Sequence, residues 1–489
     1  MAALSLGAGP ESEWVHLDAA GHLVYKTTAR GDRILDFSYA GYRSGGVALP
    51  DVPVTTHIGP SGTEDDSTAI QGALDEISKL PAKGGFRGAL VLHPGTFNCP
   101  KLIVIKAAGV VLRGSGSGNT TLKLTGSPHV AISLGANPPR RQNAATVAIT
   151  DAYVPAGSKS FHVADAGSFK VGDAILVHHP ATAKWVEFMG MDKLERNGRK
   201  ETWVNGEITV ERSIKQISGN LITLDVPLAD SYDATYLSPP GASISHTPGN
   251  TRICDVAVEK LRIVSGPQPV GISDPHNSGI HLGAVEDAWV RDVALQDMVG
   301  SISVGSAARR VTVEDVKLSH SVPTKGAAKP ADLSADGTQL LFQNITGDGA
   351  NLFYFVTGAR VTGPIVLLDS TFTGTGWIQP HQRWATGLLC DNCRVPDGGI
   401  EFMNRGQMGS GHGWTIGWSV AWNCSAKSLT FQDPPGTMNW AIGCKGKTQL
   451  EAMPFDKEPK IAEGTTDSAN RPVAPQSLYR AQLKERLGK

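Results

Sequence analysis

Six short apolar runs in the second half of the chain each end on an Asp or Asn: Val290-Arg-Asp292, Val313-Glu-Asp315, Phe342-Gln-Asn344, Leu367-Leu-Asp369, Cys390-Asp-Asn392 and Ala421-Trp-Asn423. The terminal residues are spaced by 23, 29, 25, 23 and 31 positions. A period in the twenties with a polar corner fits one coil of a parallel β-helix, in which every coil buries its inward apolar residues on the next. The longer intervals then carry loops, and loops on one face of a solenoid commonly build its site.

Composition agrees with a turn-rich β protein. Of 489 residues, 56 are glycine and only 19% are charged. A net charge of -1 gives no general attraction for nucleic acid. No apolar run approaches the roughly 20 residues needed to span a bilayer, so no membrane partner is expected. Six cysteines in a chain of this length do not make a disulfide scaffold. Cys390-Asp-Asn-Cys393 with Cys424 and Cys444 leaves three readings open: zinc ligands, a disulfide between neighbouring coils, or small buried hydrophobes.

The chain divides by texture. Residues 1–59 form an N-terminal segment. Residues 60–144 carry a helix followed by the first coils, because apolar positions 70, 73, 74 and 77 share one helical face after an acidic start. Residues 145–236 look like an inserted antiparallel β subdomain, with turns at Gly172-Asp173 and Gly219-Asn220. The main coils and groove occupy 237–446. A tail with an amphipathic helix over Ser477–Leu487 completes the chain at 447–489.

Six of the ten tryptophans fall between Trp377 and Trp440, interleaved with His381, Arg383, Arg405 and His412. Tryptophan offers a flat apolar face with one N–H, suited to sugar rings. Arg binds carboxylates in a bidentate fashion, and His serves as acid or base. His381 and Arg405 are 24 residues apart, and Arg383 and His412 are 29 apart. Each interval is near one coil, which places the pairs side by side at the strand spacing of about 4.8 Å. These four are the expected catalytic residues. Trp377, Trp384, Trp414, Trp422, Trp440, Asn404, Asn423 and His276 are the expected substrate-binding residues. A hydrolase would instead need two carboxyl groups, drawn from Asp297, Asp332, Asp336, Asp348, Asp391, Glu401 and Asp433. No pair among them stands out from the repeat.

With the repeat in place, Asp66-Ser-Thr68-Ala-Ile-Gln71 makes the chain resemble the pectate-lyase-like right-handed parallel β-helix superfamily, the pectate lyase and polygalacturonase-related carbohydrate-active proteins. The resemblance covers about residues 35–446. It implies an all-β fold, a single-stranded right-handed parallel β-helix with an N-terminal capping helix, and a polysaccharide lying along one parallel sheet. It also implies a secreted or periplasmic protein, whose signal peptide is absent from this sequence. Gly411-His412-Gly413 is similar to the Gly-His-Gly of polygalacturonases, yet their Asn-Thr-Asp and Asp-Asp elements are missing from the coils. The Arg-x-Pro-x-x-Arg of the best-known pectate lyases is missing too. The expectation is a lyase that cleaves an anionic, uronate-containing polysaccharide by β-elimination. A hydrolase of the same fold is the alternative, and a non-catalytic glycan-binding β-helix a second one. No ligand spacing demands a cofactor, though Ca²⁺ could sit at acidic corners.

Overall fold

The computed structural model describes residues 10–136, 145–326, 328–450 and 463–489. The expectation about a leader rests on the first residues, of which 1–9 lie outside the described ones. Among the described residues, 25 strands join in one wrapped, parallel-paired sheet: an all-β solenoid.

Three faces make up each coil. The first stacks 110–113, 257–259, 288–291, 311–314, 340–343, 365–368, 388–391, 419–422 and 439–442. The second stacks 121–123, 262–264, 294–296, 317–319 and 346–348. The third stacks 132–134, 280–282, 302–304, 333–335, 353–357, 377–378 and 399–402. Inward Val, Ile, Leu and Phe side chains from all three form one continuous core.

The corner between the first and second faces explains the repeat. Asp292, Asp315, Asn344, Asp369, Asn392 and Asn423 all adopt left-handed backbone, with φ between 47° and 56°. Asn and Asp tolerate that region better than other non-glycine residues. Their side chains also ladder: Asn392 Nδ2 donates to Asp369 Oδ1 at 3.1 Å. Cys393, Cys424 and Cys444 follow the corner in successive coils. All are free, buried thiols, and their S–H groups donate to the carbonyls of Leu367, Cys390 and Ala421 at 3.2–3.3 Å. They act as small core residues; Cys390 is buried beside them. Among the described residues no group of three or more His, Cys, Asp or Glu is arranged to hold a metal.

The helix Ser67–Lys79 closes the N-terminal end and buries Ile70, Leu74 and Ile77. Each such side chain contributes about 1.5–3 kcal/mol of burial. The motif around it has a physical role, because a terminal coil leaves main-chain groups without a neighbouring coil. Asp66 accepts from Asn98 N at 2.8 Å. Gln71 exchanges two hydrogen bonds with Val104, accepting its N–H at 2.8 Å and donating to its carbonyl at 3.0 Å.

The N-terminal segment is a spine along the outside of the first face. Ser12 Oγ donates to Asp467 at the last coil, and Trp14 packs edge-on against Trp440 at 5.5 Å. Farther along, Gly41 N reaches the Gln339 carbonyl, Tyr42 N reaches Thr312, and the Tyr42 hydroxyl reaches Asp255 at 2.7 Å. The spine thus runs opposite to the order of the coils. The C-terminal helix Leu478–Arg486 lies beside it, with Gln482 bridging Phe37 N and the Leu35 carbonyl at 2.9 and 2.8 Å. Between them they cover the outward apolar row Leu341, Val366, Leu389, Val420 and Trp440, leaving the first face buried on both sides.

A six-stranded antiparallel sheet formed by 147–148, 160–162, 174–180, 207–218, 221–224 and 243–246 stands on the coils. Its last strand, Ser243–His246, lies beyond residue 236. Glu211, on the long strand Glu207–Ser218, ties it down through Arg252 at 2.7 Å and Arg309 at 3.1 Å.

Candidate functional site

The outward side of the third face is free of the spine. There a cleft of about 350 Å³ opens, lined by His276, Lys329, Ser334, Asp336, Phe353, Thr357 and His381 among others. Aromatic and cationic groups stack in order from its lining residues Lys329, Phe353 and His381 to neighbours just behind them. Lys329 Nζ stands 3.8 Å over the Trp377 ring, Trp377 meets Phe353 at 6.2 Å, and Phe353 meets His381 at 5.9 Å. The Arg405 guanidinium lies 5.5 Å from the Phe353 ring, and the His381 and His412 rings are 4.6 Å apart.

The coil period thus brings the four expected catalytic residues into one neighbourhood. Arg405 Nη1 donates to the His381 carbonyl at 2.9 Å and approaches His381 Nδ1 at 3.3 Å. Arg383 N donates to the His412 carbonyl at 2.9 Å. Their environments differ. Arg383 turns its Nη2 onto the Ser410 carbonyl at 2.7 Å and so braces the loop rather than the cleft. His412 is buried beneath the inserted subdomain.

That last contact accounts for Gly411-His412-Gly413. Gly413 has φ 57°, and a Cβ there would meet Trp203 at 2.4 Å and Met191 Sδ at 2.6 Å. Gly411, at φ 74°, faces Glu201 and Leu194 in the same way. Both glycines let the loop pass under the subdomain; the triplet serves packing.

Electrostatics separates the groups further. Burial, reinforced by Arg405, holds the His381 imidazole down to about 4, and that of His412 to about 3 with help from Arg405 and His381. Both are neutral near pH 7. Since a guanidinium only donates, the Arg405 contact makes His381 Nδ1 the acceptor and leaves the proton on Nε2. That N–H has no partner among the described residues. Burial also lowers Arg405 to about 10, although Glu401 opposes the shift. No carboxylate pairs with Arg405 among the described residues, and its Nε is buried without a partner. Desolvation pulls Lys329 below the usual lysine range, opposed by Glu401. Glu401, which accepts from Gln379, and Asp336, which accepts from Gly358 N at 2.7 Å, are both raised by burial.

Several expected substrate-binding residues lie elsewhere, and this corrects the reading of the tryptophan cluster. Trp384, 1% exposed, donates to Asp230 at 2.9 Å and packs on Trp185 and Trp203 of the subdomain. Trp414 donates to the Met189 carbonyl in the same junction. Trp422 donates to the Pro475 carbonyl beneath the C-terminal segment, and Trp440 is buried under Trp14. Asn423 is consumed by Val473 and Gln476, and Asn404 closes its own turn onto Gly406 N. His276 lines the cleft, with its Nδ1 against the Asp274 carbonyl at 2.7 Å, and Trp377 lies beside the cleft under Lys329.

Among the carboxylates, Asp391 is buried under the C-terminal helix, Asp433 holds Asn439 N and Thr465, and Asp297 holds Ser321. Asp332 is buried against His320 and Ser301, and Asp348 takes Thr373 Oγ1 at 3.2 Å. Asp336 lines the cleft, and Glu401 stands in the electrostatic reach of Lys329 and Arg405. Lys329 and Phe353 were not found from sequence. Lys329 lies in a loop outside the repeat, and Phe353 reads as one more core residue.

No protein-family model matches the chain, and no curated protein sequence is similar to it. Among solved structures it is similar to the tailspike protein of E. coli bacteriophage HK620 in complex with a pentasaccharide. The identity is 10% over 91% of this chain and 62% of the tailspike, with a TM-score of 0.42. It is also similar to the A-module of mannuronan C-5 epimerase AlgE6 from Azotobacter vinelandii, at 11% identity over 80% and 73% and a TM-score of 0.31. The tailspike protein gp49 of Pseudomonas phage LKA1 matches at 12% identity over 78% and 69%, with a TM-score of 0.28. These are likenesses at low identity and carry no residue role across. Among the described residues no helix is long and apolar enough to cross a membrane.

Proposed function

We propose that the cleft on the third face binds an anionic polysaccharide and cleaves it by β-elimination at a uronate. One observation carries this reading: Arg405 is a buried guanidinium with no carboxylate partner, set against a neutral imidazole. Leaving a buried charge unpaired is costly, and a substrate carboxylate is the partner such a group recognises. Elimination needs the carboxylate neutralised, a base for the C5 proton, and a donor to the leaving oxygen. Arg405 supplies the first. Lys329, with its depressed basicity, is suited to the second. The His381 Nε2–H supplies the third as a neutral hydrogen-bond donor that holds the leaving oxygen while it takes its proton from water. Trp377 and His276 contact flanking sugars.

The test is incubation with a panel of uronate polysaccharides while following the ultraviolet absorbance of a C4–C5 double bond. A rise that Arg405→Ala abolishes supports elimination. New reducing ends without that absorbance would replace it with hydrolysis. One observation favours that second reading: Asp336 and Glu401 are both carboxyls raised by burial at this face, as a general acid requires. Saccharide binding without any product would leave a glycan-binding role.

A further inference from the structure

The cleft does not end at Asp336. That residue also lines a second cleft of about 300 Å³, which runs under the edge of the inserted subdomain at Glu207 and Thr209. The floors are continuous: Thr357 and Gly358 lie in the first cleft, Ala359 and Arg360 in the second. We propose that the second cleft is a further subsite for an anionic sugar of the same polymer, with Arg360 as its carboxylate clamp. This deepens the reading of the first cleft and rests on it.

The charges in the second cleft single out Arg360. Glu211 is committed to Arg252 and Arg309, and Glu207 to His178 Nδ1 at 2.9 Å. Arg252 is in turn held by Glu211 and the Ala307 carbonyl. Arg360 Nη1 donates at 2.9 Å to a main-chain oxygen, that of Asn205, and no carboxylate pairs with Arg360 among the described residues. Its backbone is also constrained. Arg360 has φ 60°, and its N–H is shared between the carbonyls of Arg383 at 3.1 Å and Trp384 at 2.7 Å. Left-handed backbone recurs at the corners of this solenoid, and here the two hydrogen bonds fix the point from which the side chain starts. The side chain starts at the floor and reaches the subdomain at the Asn205 carbonyl, so it lines the second cleft between the two. Arg360 is exposed, so water solvates its free guanidinium edge until a ligand enters; a uronate would pair with that edge, which an uncharged sugar would not.

The experiment is calorimetric titration of the full chain with oligogalacturonates and oligomannuronates of increasing length. The wild type is expected to gain affinity once the oligomer is long enough to enter the second cleft. Arg360→Gln should remove that gain, about tenfold, and leave the affinity for the shortest binding oligomer unchanged. Arg405→Gln should weaken every length alike. Arg360→Lys, which keeps the charge, should restore part of the gain, whereas a folding defect would lower all affinities together. If Arg360→Gln leaves the length dependence intact, or weakens all lengths equally, the second subsite is overturned while the first stands. If the wild type binds no uronate oligomer of any length, both fall.

Discussion

At the scale of single residues, the proposed site uses two basic side chains, Arg405 and Lys329, that pair with no carboxylate among the described residues although Glu401 acts on both through space. Arg405→Lys retains charge but loses the planar fork that holds His381, and kcat/KM should fall by roughly a hundredfold. His381→Gln keeps a donor without a titrating ring and should retain more activity than His381→Ala; equal losses would remove the donor role. The pH profile follows from the shifts. With Lys329 as the proposed base, acting deprotonated, activity should rise with pH through a limb below the ordinary lysine value of about 10.4. With Arg405 as the proposed carboxylate partner, acting protonated, activity should fall again near its depressed value of about 10. In Lys329→Gln the rising limb should vanish, which a kcat/KM profile of the two proteins will show.

Elements show which signals a sequence carries and which it hides. The corner repeat was legible because Asp292, Asn344 and their equivalents need left-handed backbone, which leaves a mark on residue type. The second corner is equally regular in space, yet Asp255, Asp287, Arg310 and Gln339 occupy it with positive φ and no common side chain. It was therefore invisible. The pairing of His381 with Arg405 was legible from coil spacing. The fate of the tryptophans was not, since Trp384 and Trp414 are covered by a subdomain some 200 residues earlier in the chain. Burial by distant segments leaves no local pattern. Where the loop 405–413 meets that subdomain the fit is tight. Gly413→Ala should destabilise the protein by about 2 kcal/mol or more through overpacking and strain, read as a lowered Tm.

Across the whole molecule, the C-terminal segment is docked on Asp391, which accepts from Ser477 Oγ at 2.7 Å and Tyr479 N at 2.8 Å. Burial raises this carboxyl to about 7. A carboxyl raised in the folded state is protonated there more readily than in the unfolded chain, so the fold loses stability as pH climbs from about 4 to above 7. The loss is on the order of 4 kcal/mol. Asp391→Asn should flatten this part of the stability curve, and unfolding of both proteins across that range will show whether it does.

The spine has a mechanical consequence. A stack of coils whose contacts are all between neighbours can fray from either end, one rung at a time. Here the segment that holds Asp467 through Ser12 at one end of the stack also reaches Asp255 through Tyr42 near the other. Peeling off a terminal rung therefore shears a seam shared by the rungs between, which converts a zipper into a clamp.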